Sequence, residues 1–216
     1  MRALIRILRP ALVLLAVFLF VGAAGIAFRG IRTLQTLTAV EAERDQWQRP
    51  ADVIHALDLK PSGTIVDFGA GAGYFALKLS DVVGPRGHVI AVDLRRFSLL
   101  FLNLRAFLKG KRNIQIIVGE PDDPHLPEAK ANSILIANTY HELSAPEPIL
   151  GHLWKALLPG GRLVILDRSE GSEHRASPEL VEMDVRNQGF EILSREDSFI
   201  KRPGQESWWL VVAAKP

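Results

Sequence analysis

Cysteine is absent from the 216 residues of this chain. The chain can therefore form no disulfide, no thiolate metal site and no cysteine nucleophile. Its six histidines show no spacing that would place two of them on one helical face with a carboxylate, so we expect no metal site. Because a cysteine-free protein tolerates either side of a membrane, the composition leaves the redox compartment open.

Acidic residues are absent from the first 40 positions, which hold five arginines. From Glu41 onward the chain has 21 basic and 24 acidic residues, so the basic character of the whole belongs to its N-terminal part. The remainder carries no overall positive field that would attract nucleic acid. We expect no nucleic-acid partner.

Charged residues are also missing from residues 11–28, an apolar run near the lower length limit for a helix that crosses a bilayer. We interpret this run as a single transmembrane helix. The basic start and the small residues Gly25 and Ala27 are also typical of a cleavable signal peptide, which would export the rest of the chain. A buried core helix is a third alternative, but such a helix normally keeps a polar face, which this run lacks.

The composition divides the chain into four parts. Residues 1–10 form a basic N-terminus, 11–28 the transmembrane segment or signal, 29–49 a polar connector, and 50–216 a single α/β domain. A domain of this length buries a sizeable core, and a second full domain is not expected.

Short apolar, β-branched runs alternate with helical patterns along the domain. After a short helix that begins at Pro50, the pattern predicts strands at 64–68, 88–92, 114–118, 133–137, 162–166, 190–199 and 208–212. It predicts helices at 75–83, 97–108, 148–158 and 178–187. This alternation implies a doubly wound, mostly parallel sheet, and the turn at residues 201–204 is compatible with a C-terminal antiparallel hairpin.

A glycine-rich loop follows the first predicted strand, with glycines at positions 69, 71 and 73. Such glycines let the backbone turn sharply and approach a ligand, and the next helix offers free amides at its N-terminus. A dinucleotide site usually has the spacing G-x-G-x-x-G, whereas here the third glycine comes one residue early. The spacing disfavours a nicotinamide cofactor, and an ordinary strand-to-helix turn remains an alternative for the loop alone.

Carboxylates follow the next two strands at the same edge of the sheet. Asp93 comes directly after the second strand, where a carboxylate can accept hydrogen bonds from both ribose hydroxyls of an adenosine, the alternative being a solvated aspartate at a strand end. Glu120, Asp122 and Asp123 follow the third strand and could accept a hydrogen bond from an adenine amino group, although solvated loop positions explain them almost as well. These residues point to a nucleoside-containing ligand.

The ordered set of motifs resembles the class I S-adenosylmethionine-dependent methyltransferases over nearly all of residues 47–214. The resemblance rests on the motifs at 66–75, 91–93, 119–127, 138–143 and 158–163, together with the Trp47-Gln48-Arg49-Pro50 start of the domain and the terminal antiparallel pair. It implies a Rossmann-like fold and S-adenosyl-L-methionine as the cofactor. One departure is Asn132, which stands where many relatives have an aspartate entering the fourth strand.

The resemblance also implies roles for individual residues. Asp67 and the loop residues Gly69, Ala70, Gly71 and Gly73 would hold the methionine end of the cofactor. Asp93 would bind the ribose, and Glu120 and Asp122 would lie on the adenine side. Asn138, in the motif after the fourth strand, completes the expected cofactor-binding set.

Methyl transfer from a sulfonium is an in-line displacement, in which the protein aligns the acceptor, excludes water and removes a proton where necessary. Tyr140 and His141 follow the fourth strand, on the side from which members of this family address the acceptor. His141 belongs to the residue type suited to a general base near neutral pH. We name both as candidate catalytic residues, with capping or packing of the next helix as the alternative role of His141.

The function expected is methyl transfer to a small-molecule or lipid-like acceptor. The alternatives are an NAD(P)-dependent oxidoreductase and a non-catalytic, membrane-tethered nucleotide-binding domain. Because S-adenosylmethionine is made in the cytosol, we expect a single-pass membrane protein with its domain in the cytoplasm, the alternative being export after signal cleavage. The acceptor, the orientation and the oligomeric state are not readable from the sequence.

Overall fold

The computed structural model describes the backbone of residues 2–168, 176–204 and 207–216, and the side chains of these residues except 2–17 and 27. Its contacts divide the chain into two compact units, Met1–Gln46 and Trp47–Pro216. The second unit begins three residues before the predicted domain start. It contains all of the strands described below.

Helix α1 extends over Arg2–Trp47, so the predicted connector is helical. The hydroxyl groups of Thr33, Thr36 and Thr38 each donate to the backbone carbonyl four residues earlier, as exposed threonines do within a helix. Among the described residues, no helix has an apolar stretch long enough to cross a bilayer. The structure therefore gives no support to the transmembrane helix predicted at 11–28, of which residues 11–17 and 27 lie outside the side chains described.

The second unit contains five helices, seven strands and a short 3₁₀ helix among its described residues. The helices are α2 (Pro50–Ala56), α3 (Tyr74–Val83), α4 (Arg96–Leu108), α5 (Pro146–Ala156) and α6 (Pro178–Asn187), and the 3₁₀ helix is Tyr140–Glu142. The strands are β1 (Thr64–Phe68), β2 (His88–Asp93), β3 (Ile114–Val118), β4 (Ala131–Ala137), β5 (Leu157–Arg168), β6 (Glu191–Ile200) and β7 (Trp208–Ala214).

The strands form one sheet in the order β3-β2-β1-β4-β5-β7-β6. The first five are parallel to one another, and β7 pairs antiparallel with both β5 and β6. The predicted doubly wound, mostly parallel sheet with a C-terminal antiparallel hairpin is thus confirmed. The strand order reverses between β1 and β4, which is the position where open α/β sheets bind ligands.

The two faces of the sheet bury separate apolar clusters. Residues of α2, α3 and α4 pack on one face, and residues of α5 and α6 on the other. Because successive residues of a strand point to opposite faces, Ile65 belongs to the first cluster and Val66 to the second. Helices on both faces explain why the parallel strands read as continuous apolar runs.

Asn132, the departure from the family pattern, joins two strands. Its side-chain oxygen accepts a 2.8 Å hydrogen bond from the Thr64 amide at the start of β1. The neighbouring Ser133 hydroxyl donates to the Leu57 carbonyl, also at 2.8 Å. An amide oxygen therefore anchors the N-terminal end of β1, which is the end opposite to the cleft.

The Trp47-Gln48-Arg49-Pro50 sequence packs against the C-terminal hairpin. The ring of Trp47 meets that of Trp208 edge to face, with 5.5 Å between centroids. The Arg49 guanidinium lies 4.2 Å from the centroid of the Phe199 ring and donates to the Phe199 carbonyl at 2.7 Å. The start of the domain thus covers part of the antiparallel pair.

The boundary between α5 and β5 differs from the prediction. The helix predicted at 148–158 spans Pro146–Ala156, and Leu157 already pairs with Ala131 of β4. Two prolines at its N-terminal end fit the first turn of a helix, because the missing amide hydrogens have no partner there in any case. The apolar character of Leu157 and Leu158 suits a helix and a strand equally well, so the sequence pattern did not locate the boundary.

Gly69 offers a test of the contact between the glycine loop and the end of β4. Its φ is +77°, and a Cβ there would lie 2.1 Å from the Thr139 Oγ1 atom. Gly110 has a similar φ of +65° but open space around a Cβ. We expect Gly69→Ala to destabilise the Trp47–Pro216 unit by about 2 kcal/mol more than Gly110→Ala. Both substitutions strain a backbone with positive φ, but only the one at position 69 also forces a methyl group against Thr139.

The measurement is urea denaturation of the full chain followed by tryptophan fluorescence, since all four tryptophans lie in this unit. Adding Thr139→Ala to Gly69→Ala removes the two closest atoms, so it should recover part of the loss. Equal destabilisation by the two glycine substitutions would show that the Thr139 contact does not constrain the loop.

Candidate functional site: a cleft at the carboxyl ends of the strands

A cleft opens where the strand order reverses. Its walls come from the carboxyl ends of β1 and β2 and from the loops that follow β3 and β4. Of the predicted cofactor-binding residues, Gly69, Asp93 and Glu120 line it. Thr139, Glu142 and Leu143 form the wall on the β4 side.

The glycine loop bends closely around the end of β2. Gly69, Gly71 and Gly73 all have positive φ angles, a conformation in which a side chain would be strained. The amides of Gly69 and Ala70 donate to the Val92 carbonyl at 2.8 and 2.9 Å. These bonds extend the pairing of β1 with β2 into the loop and place its backbone at the rim of the cleft.

Asp93 is the charged group at the centre of this wall. It is buried, and its Oδ2 atom accepts a 2.8 Å hydrogen bond from the Gly71 amide, while Oδ1 accepts one of the same length from the Arg95 amide. The carboxylate therefore joins the loop after β1 to the start of α4. A carboxylate has about four lone-pair positions, so hydrogen-bonding capacity remains on Oδ2 for a hydroxyl of a bound ligand.

The Arg95 side chain reaches across the mouth of the cleft. Its Nε atom lies 3.2 Å from Asp93 Oδ1, and its Nη1 atom lies 3.7 Å from a Glu142 carboxylate oxygen on the opposite wall. The hydrogen bond to Asp93 raises the pKa of Arg95 above its ordinary value, so the group stays charged. Because the side chain is 56% exposed, it can withdraw and leave Oδ1 of Asp93 to a second hydroxyl.

The loop after β3 is shaped by Asp123. Its carboxylate accepts a 2.7 Å hydrogen bond from the His125 amide, which lowers the pKa of Asp123, and its carbonyl accepts from the Glu120 amide, also at 2.7 Å. This turn presents Glu120 to the cleft. Asp122 is exposed and is not among the residues that line the cleft.

The remaining predicted cofactor residues lie behind the wall. Asp67 is buried within β1, next to the strand end. Asn138 has a φ of +55°, and its amide donates to the Leu166 carbonyl at 2.8 Å, so it forms the bend after β4. Ala70, Gly71, Gly73 and these two residues therefore shape the rim without lining the cleft, and their roles in binding stay predictions.

His141 lies at the adjacent ends of β4 and β5. Its Nδ1 atom is 2.8 Å from Oδ1 of Asp167, and its amide donates to Oδ2 of the same carboxylate at 3.1 Å. Asp167 is fully buried at the end of β5, whereas the histidine side chain is 13% exposed. The carboxylate thus favours the imidazole form with hydrogen on Nδ1, in which Nε2 is the atom that accepts a proton.

Tyr140 faces the opposite direction, into the apolar cluster under α6. Its hydroxyl donates to the Asp184 carboxylate at 2.8 Å, and its side chain is buried. Burial and, to a lesser degree, this hydrogen bond raise the pKa of Tyr140 well above its ordinary value. The phenol therefore stays protonated at neutral pH, and its position favours a structural role over the catalytic role predicted for it.

Sequence reasoning missed Asp167, Arg95 and Thr139. Asp167 comes directly after the strand predicted at 162–166, and the rule that places ligands beyond the carboxyl ends of parallel strands would have singled it out. Arg95 stands two residues after Asp93, the carboxylate predicted to bind the ribose. Its position just beyond the end of a parallel strand would have singled it out by the same rule. Thr139 has no such signal, because its importance lies in its contact with a glycine 70 positions earlier.

The family model described as a methyltransferase domain matches residues 59–202, about two thirds of the chain. The chain is 28% identical to the protein-L-isoaspartate O-methyltransferase of Methanothermobacter thermautotrophicus over 58% of its own length and 61% of that protein. It is 26% identical to the ubiquinone/menaquinone biosynthesis C-methyltransferase of Ectopseudomonas mendocina over 57% and 48% of the two lengths. The chain thus spans about half to three fifths of these curated relatives.

Among solved structures, a SAM-dependent methyltransferase from Aquifex aeolicus aligns with a TM-score of 0.66 and 26% identity. The alignment covers 76% of this chain and 88% of that protein. The match of the family model over most of the second unit agrees with the glycine loop, the carboxylate of Asp93 and the terminal hairpin. The chain therefore belongs to the methyltransferase domain family, as a class I methyltransferase whose cofactor is S-adenosylmethionine.

Proposed function

We propose that this chain transfers a methyl group from S-adenosylmethionine to an acceptor that must lose a proton, with His141 as the general base. The observation that carries the proposal is the contact between His141 and the buried carboxylate of Asp167 at the end of β5. A histidine oriented by a carboxylate is the arrangement that proton removal near neutral pH requires.

The cleft residues fit the cofactor of the family. The Asp93 carboxylate would accept from the ribose hydroxyls, Glu120 would face the adenine, and the glycine loop would lie along the methionine part. The cofactor supplies a methyl group on a positively charged sulfur, which a nucleophile can displace in line. The protein has to hold that nucleophile in position and exclude water from it.

The dyad of His141 and Asp167 accounts for the removal of a proton. The Nδ1 hydrogen bond to Asp167 directs the proton of the acceptor to Nε2, and the negative charge of Asp167 stabilises the imidazolium that forms. His141 does not itself line the cleft but immediately precedes Glu142, which does, and this neighbourhood supports a dyad that acts at the edge of the cleft. The phenol of Tyr140 takes no part, since it is buried against Asp184.

A lipid-like acceptor with an acidic hydroxyl or carbon suits this chemistry. The similarity to a C-methyltransferase of ubiquinone and menaquinone biosynthesis supports an acceptor of this class. The apolar run at 11–28 supports residence at a membrane, with the domain on the cytoplasmic side where S-adenosylmethionine is made. The domain would then meet an acceptor dissolved in the bilayer.

The acceptor class can be tested with S-adenosylmethionine carrying a tritiated methyl group. The full chain is incubated separately with the lipid extract and with the water-soluble metabolites of the cells that produce it. We expect radioactivity in organic-soluble products, lost in the Asp93→Asn variant. Label found only in water-soluble products would rule out the lipid-like acceptor while leaving methyl transfer intact.

Asp93→Asn should weaken the binding of S-adenosylhomocysteine at least tenfold, because hydrogen bonds to a charged acceptor contribute about 1.5–3 kcal/mol. Isothermal titration calorimetry on the full chain measures the affinity. Glu128→Gln is the control, since this exposed carboxylate also follows β3 but does not line the cleft, and its effect should be less than about twofold. A similar loss in both variants would contradict the assignment of Asp93 to the ribose.

His141→Gln should lower kcat about 100-fold or more while leaving the affinity for S-adenosylhomocysteine unchanged, because general base catalysis contributes about 10²–10⁴-fold. The activity of the unmodified chain should fall in acid as the imidazole gains a proton, and this fall should be absent from His141→Gln. In Asp167→Asn the loss of activity should occur at lower pH, since the imidazolium loses its negative neighbour. A pH profile that is the same in all three proteins would refute the base.

A further inference from the structure

Helix α4 presents an apolar surface to solvent on the side opposite to its buried face. We call the residues Phe97, Leu100, Leu104, Phe107 and Leu108 the α4 surface. Their exposed fractions are 82, 62, 42, 79 and 64% in this order. They recur every three or four residues, so they form one stripe along the helix, while Leu99, Leu102 and Ala106 pack into the core.

Such a stripe is unusual for a soluble helix. Helix α4 makes its core contacts through Leu99, Leu102 and Ala106, and the two exposed phenylalanines belong to neither apolar cluster of the described residues. By comparison, α6 exposes only Leu180 and Met183 among its large apolar side chains, at 37 and 50%. Contiguous exposed apolar groups of this kind mark a surface that meets a membrane or another molecule.

The charges around the α4 surface identify the partner. The segment 94–112 contains six basic residues and no acidic one, although acidic residues outnumber basic ones from Glu41 onward. Arg96 begins the helix, and Lys109 and Arg112 follow its end, all three exposed. Arg105 is buried, where it donates to the Ala72 carbonyl, and Lys111 is paired with Asp81, so the exposed charge comes mainly from the two ends of the stripe.

We propose that the α4 surface docks the domain onto a bilayer that contains anionic lipids. Phenylalanine and leucine on one face with lysine and arginine around them is the pattern of helices that lie in a membrane interface. A second copy of the chain fits less well, since a symmetric contact would bring two basic clusters together. The inference does not depend on the apolar run at 11–28, which lies in the other unit.

Docking at this surface would bring the cofactor cleft to the membrane. Leu94 and Arg95 line the cleft and immediately precede α4, and Phe97 is the first exposed residue of the stripe. Leu94 is itself half exposed. A bilayer against α4 would therefore lie next to the cleft mouth. A lipid-like acceptor could then move from the bilayer into the cleft without crossing water.

The absence of cysteine makes a direct test possible, because one introduced cysteine reports on one position. An environment-sensitive dye is attached in the full chain at Leu100→Cys, and separately at Met183→Cys, a half-exposed apolar position on α6. Each protein is reconstituted into vesicles of phosphatidylcholine, with and without added phosphatidylglycerol. We expect a blue shift and quenching by lipid-borne nitroxide at position 100 in the anionic vesicles, and neither at position 183.

Two double variants of the Leu100→Cys protein distinguish a contribution of the α4 phenylalanines from a general effect of removing exposed apolar side chains. Phe97→Ser with Phe107→Ser should reduce the quenching at position 100 to the level at position 183, whereas Leu180→Ser with Met183→Ser should leave it unchanged. A dye at position 100 that stays in water with both kinds of vesicle would overturn the proposal. A blue shift that needs no lipid and grows with protein concentration would also overturn it, since it would identify a second copy as the partner.

Discussion

The hydrogen bond from the Gly71 amide to the Asp93 carboxylate holds together the two strands on which the cofactor site depends. Asp93 ends β2, and Gly71 lies in the loop after β1, so the bond fixes how far the loop stands from the neighbouring strand. The same carboxylate accepts from the Arg95 amide and so also sets the start of α4. Because a buried carboxylate needs such donors to offset its desolvation, the Asp93 carboxylate requires both the loop and the helix end in these positions.

A second buried carboxylate, Asp167, organises the other half of the site in a similar way. It is the next-to-last residue of β5 and accepts from the amides of His141 and Arg168 as well as from the His141 ring. The two carboxylates stand on either side of the point where the strand order reverses, one toward the cofactor and one toward the proposed acceptor. The parallel sheet thus provides two anchored charges at one edge, and the loops between them carry the specificity.

The sequence predicts those features that depend on neighbours along the chain. The β-branched run before Gly69, the glycine loop and Asp93 are all local patterns, and the structure has them where they were expected. The directions of Tyr140 and His141 depend instead on Asp184 and Asp167, which come 44 and 26 residues later, so no local pattern distinguishes the buried phenol from the oriented imidazole. The exposure of Phe97 and Phe107 is equally unreadable, because an apolar stripe predicts burial until the packing of the opposite face is known.

Specific binding of the family cofactor is the claim on which the proposed methyl transfer rests, and equilibrium binding to the unmodified full chain tests it most directly. Titration with S-adenosylhomocysteine in the presence and absence of excess NADH distinguishes the methyltransferase from the oxidoreductase that a glycine loop also suggests. We predict one saturable S-adenosylhomocysteine site per chain, with an affinity that NADH does not change. No saturable binding, or displacement of S-adenosylhomocysteine by NADH, would contradict the account.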